Sequence, residues 1–455
     1  MQHEDIRARH LAKLQLTRRQ LLKAGVAAPA AAALLNVARV GPAAAQDSTE
    51  DFSGVTLNVA CNPTSIAHAT AAGPLWEKKT GGKVVATLVP YAERALKFAS
   101  DIVSQNPNFD LYFASKDFVA QFAERLYVPV GELGIDTSDY VPITLQQLAS
   151  NGITYALPLF ADQELFIYNT ELWTQAGLDP AALPTTWDEM YALTPKLTAL
   201  NGGKMEANVT PMLYPSTSYW LCYYNTFNLP FISEDKTQVL FDNEEAVAAW
   251  DSIGKGFTSG FFGQAGLQAA SDLDGALLFN QGLGASEIGL VSFLSQAQSG
   301  NVDDYKATIP KTAANAAVMP GINPGTTGSI IVTEGWGVGA FSTQKVAAAS
   351  FLKYVTGPEY QTIMIADGAG PGTALPPSNL SVLNDPAVQE KYPYTKILGE
   401  QAQGMLQWPG VPYPDIDKVF GEALNNLYKG TWTPQQCKDE TVKATNDLIV
   451  QWLTS

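Results

Sequence analysis

The 455-residue chain is 46% hydrophobic and 16% charged, enough apolar material for a large core and, at this length, for two or three packing units. Residues 1–45 hold seven basic side chains against Glu4 and Asp5, so the remainder carries 21 basic against 42 acidic ones, a balance that repels nucleic acid and anionic lipid. Beyond residue 45 stand two arginines, Arg94 and Arg125, and one histidine, His68, which disfavours an anionic ligand and nearly removes His-based zinc sites and Ser-His-Asp chemistry.

In chain order, Thr17-Arg18-Arg19-Gln20-Leu21-Leu22-Lys23 comes first and resembles the twin-arginine export consensus. The weakly apolar run 24–35 and the small-residue site Ala43-Ala44-Ala45 follow it in signal-peptide order. The run contains Pro29 and is shorter than the roughly 20 residues of a membrane span. Residues 1–45 are therefore expected to be a twin-arginine signal peptide, cleaved after Ala45 to release a soluble periplasmic protein. Cys61 follows Asn58-Val59-Ala60 rather than a lipobox, and Cys61, Cys222 and Cys437 are far apart with no CxxC spacing, so no disulfide framework is expected.

Val55 to Ala60 alternates as a strand, a helix over 65–79 ends at Gly81-Gly82, and Val84 to Val89 reads as the next strand. A helix over 92–104 and a short buried strand over 110–114 continue the βα alternation, which predicts a mainly parallel sheet with helices on both faces. The stretch 155–169 is extended, a helix over 170–176 ends at Gly177, and Thr186 with Glu189 has the spacing of a capping box.

The order strand, Tyr168-Asn169, short helix, Ala176-Gly177-Leu178-Asp179-Pro180, Thr186-Trp187-Asp188-Glu189 resembles the extracellular solute-binding proteins of ABC importers, family 1, the group with maltodextrin-binding proteins. Residues 274–289, the return segment Glu334-Gly335-Trp336-Gly337-Val338-Gly339-Ala340 with a helix over 347–361, and the C-terminal stretch 411–448 extend the likeness over most of 53–450. The resemblance implies the type II periplasmic-binding-protein fold: two α/β lobes joined by crossover hinge segments, with ligand between them. By order, one lobe spans 53–158 plus 333–375 and the other 162–330 plus 378–455, with joints near 159–162, 331–334 and 371–378; Pro376-Pro377 stiffens the third.

A sugar site needs flat apolar faces together with carboxylates and amides aimed at hydroxyls. Positions matching the family's cleft are Asn62, Tyr91, Ser115 and Asp117 after the first three strands, Asp162 and Gln163 at the first joint, Tyr219 and Trp220 in the second lobe, Phe293 in its ligand loop, and Glu334 with Trp336 at the return crossover. An unpaired carboxylate within an apolar strand costs several kcal/mol, so Asp162 is either a hydroxyl acceptor or a hinge carboxylate bonded to backbone amides, and Glu334 carries the same ambiguity. Trp336, between Gly335 and Gly337, is expected to face the cleft, since glycines admit a close approach; Trp220 is either a platform or core, and Trp408 a loop-edge packing residue. His68 is assigned no role.

The expected function is that of a periplasmic receptor, without enzymatic activity, cofactor or metal, that binds a sugar, oligosaccharide or polyol and hands it to an ABC permease; a monomer is expected. Two alternatives stand: a carbohydrate-active enzyme using Asp162 and Glu334 as a carboxylate pair, and a sensory co-receptor. Few arginines leave the ligand neutral or cationic before anionic.

Overall fold

A strand, a glycine-terminated helix and a second strand open the fold. The computed structural model describes residues 50–454 except 107, 215–218, 228, 234–236, 300–308, 311, 367–372 and 402–412; of Tyr91, Ala92, Tyr219, Trp220, Cys222, Gln296, Ala297, Ser299, Gln401, Tyr413 and Pro414 it describes the backbone only. The export segment and Trp408 lie outside the described residues.

The strands are β1 (Thr56–Cys61), β2 (Lys83–Leu88), β3 (Leu111–Ser115), β4 (Ala149–Ser150), β5 (Ile153–Thr154), β6 (Leu157–Pro158), β7 (Asp162–Asn169), β8 (Ser286–Leu290), β9 (Ala314–Ala317), β10 (Ile331–Val332) and β11 (Glu334–Val338). The first sheet has the order β2-β1-β3-β11-β6; in the second, β7 is the hub for β8, β9 and β10. Helix Ile66–Thr80 ends where Gly81 takes φ 76°, a left-handed value that glycine adopts without Cβ strain. Helix Trp187–Ala192 starts at a complete capping box of Thr186 and Glu189.

Among the described strands, parallel pairing joins β2, β1 and β3, whereas β11 runs antiparallel to β3 and β6, and β7 antiparallel to β8, β9 and β10. The expected mainly parallel sheet is thus corrected. The local βα alternation governs only strands joined by adjacent helices; β11 enters the first sheet directly from β10 and so runs the other way. The single helix expected over 347–361 is likewise two, Lys345–Val355 and Pro358–Met364. Pro358 has no N–H to continue the first helix, and it favours the opening position of a new one.

Each sheet has its own core. Leu57, Val59, Trp76, Trp336 and Phe351 pack on the first, and Phe166, Trp173, Trp187, Tyr223, Trp250 and Phe420 on the second. Cys61 and Cys437 are buried free thiols, and burial pushes both up to about 12. Among the described residues no helix is long and apolar enough to cross a membrane.

Three chain segments pass between the sheets, and they are hydrogen-bonded to one another. Leu159 N donates to Glu334 O (2.8 Å) and Ala161 N to Pro376 O (3.0 Å). Thr333 Oγ1 donates to Phe160 O (2.7 Å). The crossovers therefore form a single ribbon rather than three independent tethers.

Candidate functional site

The first sheet ends, at the C-terminal edge of β1 and β3, in a polar group assembled from distant positions. Asn62 leaves β1 and turns the chain into helix Ile66–Thr80: its Oδ1 accepts from Ser65 N (2.7 Å) and its carbonyl from Ile66 N (3.0 Å). With its acceptor engaged, the Asn62 amide donates from Nδ2 to Glu334 Oε2 at 2.8 Å. Glu334 opens β11, and antiparallel pairing sets it opposite Ser115, the last residue of β3. Burial raises the Glu334 carboxyl above its ordinary range, while the Asn62 hydrogen bond and the charge of Arg94 oppose the rise.

Arg94 was missed in the sequence. It sits on helix Tyr91–Ser104 with 3% exposure, its guanidinium carbon 4.3 Å from the Phe113 ring centroid and 5.0 Å from that of Phe118. Contact with two rings set edge to face holds the cation where its charge reaches Glu334. The one available signal was that Arg94 is one of two arginines beyond residue 45.

Lys116, directly after Ser115, begins helix Lys116–Leu126. Close packing pushes its ammonium down to about 7, against the opposing pull of Asp117 and Asp417. Asp117 is exposed. Asp417 belongs to helix Tyr413–Tyr428, whose Ile416 and Phe420 lie in the second-sheet core. Neither Lys116 nor Asp417 was anticipated.

Asp162 starts β7, 2% exposed, and its Oδ1 accepts from the amides of Gln163 (3.0 Å) and Ser292 (3.4 Å). Burial raises its carboxyl to about 6 despite the hydrogen bonds from Ser292, Gln163 and Val291. Of the two alternatives for Asp162, the geometry is that of the amide-bonded hinge carboxylate. The Gln163 side chain points into the second-sheet side, with Nε2 3.4 Å from Leu398 O. Phe293, expected in a loop, is a partly buried residue of helix Val291–Ser299, whose first amides are those held by Asp162.

Trp336 requires a correction. It is fully buried in the first-sheet core, and its Nε1 donates to Ala60 O at 3.0 Å, so neither ring face is available to a ligand. The flanking glycines do admit a close approach, but by the protein itself. A Cβ at Gly335 would collide with the Leu157 carbonyl, and one at Gly337 with the Tyr127 ring and the Tyr155 carbonyl. His68 is also buried: Tyr360 Oη donates to its carbonyl (3.0 Å), and burial lowers its imidazole to about 4.

Tyr91 opens helix Tyr91–Ser104, and Tyr219 and Trp220 open helix Tyr219–Asn225; the side chains of all three lie outside the described residues. The structure therefore brings together Asn62, Ser115 and Glu334, adds Arg94 and Lys116, and buries Trp336. Surface depressions of about 550, 400 and 500 Å³ occur elsewhere, and none is lined by an anticipated site residue.

Two α/β bodies joined by a three-segment ribbon, with a polar edge at the junction, define a protein of the two-lobe ligand-capturing class. The family model described as bacterial extracellular solute-binding protein matches residues 62–362, and the chain belongs to that family. The fold is that of the type II periplasmic binding proteins. Over 88% of its length the chain superposes on 99% of the GacH receptor of Streptomyces glaucescens GLA.O, solved unliganded and with acarbose, at TM-score 0.70 and 20% identity. It matches 98% of the sugar-binding protein MalE of Xanthomonas citri at TM-score 0.73 and 15% identity, again over 88% of its own length. An Agrobacterium radiobacter K84 solute-binding protein in complex with ribitol is covered fully, at TM-score 0.66, 20% identity and 88% of this chain. A curated relative, the probable amino-acid ABC transporter periplasmic-binding protein y4oP of Sinorhizobium fredii, is 30% identical over 126 residues, 26% of this chain. That match spans 29% of the relative's length.

Proposed function

We propose that the chain captures a neutral polyhydroxylated solute, a sugar, oligosaccharide or polyol, between two lobes and presents it to the permease of an ABC importer. The lobes are residues 53–158 plus 333–375 and residues 162–330 plus 378–455, a division supported by the separate sheets. The observation that carries the ligand class is the Asn62–Glu334–Arg94 group. A carboxyl held through one oxygen by the Asn62 amide offers its remaining lone pairs to hydroxyl donors, while the charge of Arg94 opposes a cationic ligand there. The sugar and polyol complexes of structural relatives support the same class.

The twin-arginine route, cleavage after Ala45, a soluble periplasmic monomer and the absence of catalysis belong to this reading. A glycosidase would need a second carboxyl free to act on a water or a sugar carbon. Asp162 is held by the Gln163 and Ser292 amides, which disfavours that role.

The test is a titration of the chain from residue 46 with maltose, ribitol, mannitol, tagatose, spermidine and an amino-acid panel, read by calorimetry and thermal shift. A true ligand at 100 times its Kd stabilises by about 2.7 kcal/mol. Silence of every sugar and polyol overturns the ligand class; a response to amino acids alone replaces it; release of reducing sugar from an oligosaccharide replaces the receptor reading with an enzyme.

A further inference from the structure

Gln361 lies on helix Pro358–Met364 and is fully buried, yet its side chain bonds to two of the three crossovers at once. Its Oε1 accepts from the amides of Ser378 (2.7 Å) and Asn379 (3.0 Å). Its Nε2 lies within bonding distance of Leu159 O (3.0 Å), Thr356 O (3.0 Å) and Ser378 Oγ (2.6 Å). Ser378 Oγ also reaches Pro158 O (3.0 Å). One carboxamide thereby joins the first crossover, the third crossover and the turn between the two return helices.

Only a primary amide does this. Its oxygen takes two backbone N–H groups and its nitrogen faces carbonyls; a carboxylate could serve the first pair but would repel Leu159 O, and an aliphatic side chain would leave all these buried groups unpaired. The link continues toward the ligand edge, because Leu159, whose carbonyl faces Gln361, donates its own N–H to the carbonyl of Glu334.

We propose that Gln361 is a positioning residue of the hinge: it fixes the first and third crossovers to the first lobe, so that closure pivots on the second-lobe side of Leu159 and Ser381. Asp139 of the first lobe holds the next two residues as well, its carbonyl accepting from Leu380 N (2.6 Å) and its Oδ1 from Ser381 N (2.9 Å), so the pivot is the short stretch 160–162 and 332–333 with the residues after Ser381, and Glu334 moves as part of the first lobe. The inference rests on the two-lobe capture reading, since a pivot has meaning only if the lobes move.

Hydrogen exchange and small-angle scattering on the chain from residue 46, wild type, Gln361→Glu and Gln361→Leu, test it. Gln361→Glu keeps the acceptor half, so exchange at the Leu159 and Ala161 amides should quicken at least tenfold while Ser378 and Asn379 stay protected. Gln361→Leu should quicken all four, enlarge the unliganded scattering envelope, and weaken maltose or mannitol binding roughly 10- to 100-fold, with the β1 amides unchanged. Faster exchange in β1 as well would mark a merely structural role, and equal loosening of both crossovers in Gln361→Glu would also overturn the proposal. Should the leucine variant fail to fold, the glutamate variant decides. If no solute binds even the wild type, the capture reading falls, while the exchange pattern still decides whether Gln361 fixes the crossovers.

Discussion

Asp162 and Glu334 look alike in the sequence, acids at the ends of apolar segments near a joint, and the structure treats them oppositely. Asp162 faces the scaffold it joins: the Gln163 amide and the first turn of helix Val291–Ser299, through the amide and the side chain of Ser292, satisfy it. Glu334 faces side chains, bonded through one oxygen to Asn62 and held in the field of Arg94. A carboxylate satisfied by the strand and helix it joins holds that scaffold together, whereas one bonded through a single oxygen keeps acceptor capacity for something outside the fold. Glu287 on β8 is a third case: it is 2% exposed and burial, with the Asp272 charge beside it, pushes its carboxyl up to about 8.

The largest effect tests whether Trp336 stands with the core or with the ligand edge. Trp336→Ala should cost about 3–5 kcal/mol in urea or thermal unfolding. Affinity lost without any stability change would return Trp336 to the cleft.

Next comes the pH dependence of Glu287. Its folded pKa lies above the ordinary carboxyl value, so its stabilising contribution is complete below about pH 4.5 and is lost as the pH rises toward about 8. Wild type should therefore lose stability through that window, by an amount on the order of a few kcal/mol, and Glu287→Gln should flatten the curve. Parallel melting-temperature profiles of the two proteins would break the assignment.

Glu334→Gln retains an acceptor for Asn62 but discards the charge facing Arg94. Solute affinity should fall by roughly 1.5–3 kcal/mol, about 10- to 100-fold, with a smaller change in stability. Asp162→Asn should do the reverse at smaller scale, with stability down by about 1 kcal/mol and calorimetric affinity within a factor of about two. Affinity losses of equal size in both variants would erase the distinction between the two acids.

What could be read in advance follows from how local each signal is. The helix stop at Gly81, the capping box of Thr186 and Glu189, and the order of strands and helices are set within a few residues, and the sequence carries them openly. The antiparallel entry of β11 depends on where the chain returns from the second sheet, which no local pattern encodes. Gly335 and Gly337 do signal a close approach, but the approaching group is Leu157, Tyr127 and Tyr155, so the signal was sound and its object was another strand. Arg94 reads as a surface cation of an amphipathic helix until Phe113 and Phe118, from the next strand and helix, fold over it. Asn62 and Glu334, 272 residues apart, were each legible as polar ends of strands, though their hydrogen bond was not.

The break between the return helices has a bearing on sensor engineering. Thr356-Gly357-Pro358 resets the helix axis just before Gln361; a glycine is required at 357 because a Cβ would press on Lys353 O at 2.5 Å, and the Thr356 hydroxyl sits 2.8 Å from Tyr140 Oη. A designer who stiffens this segment by replacing Pro358 and Gly357 with strong helix formers would gain propensity in the turn and rotate Gln361 away from both crossovers. Reporter groups are better inserted on surface turns far from this elbow.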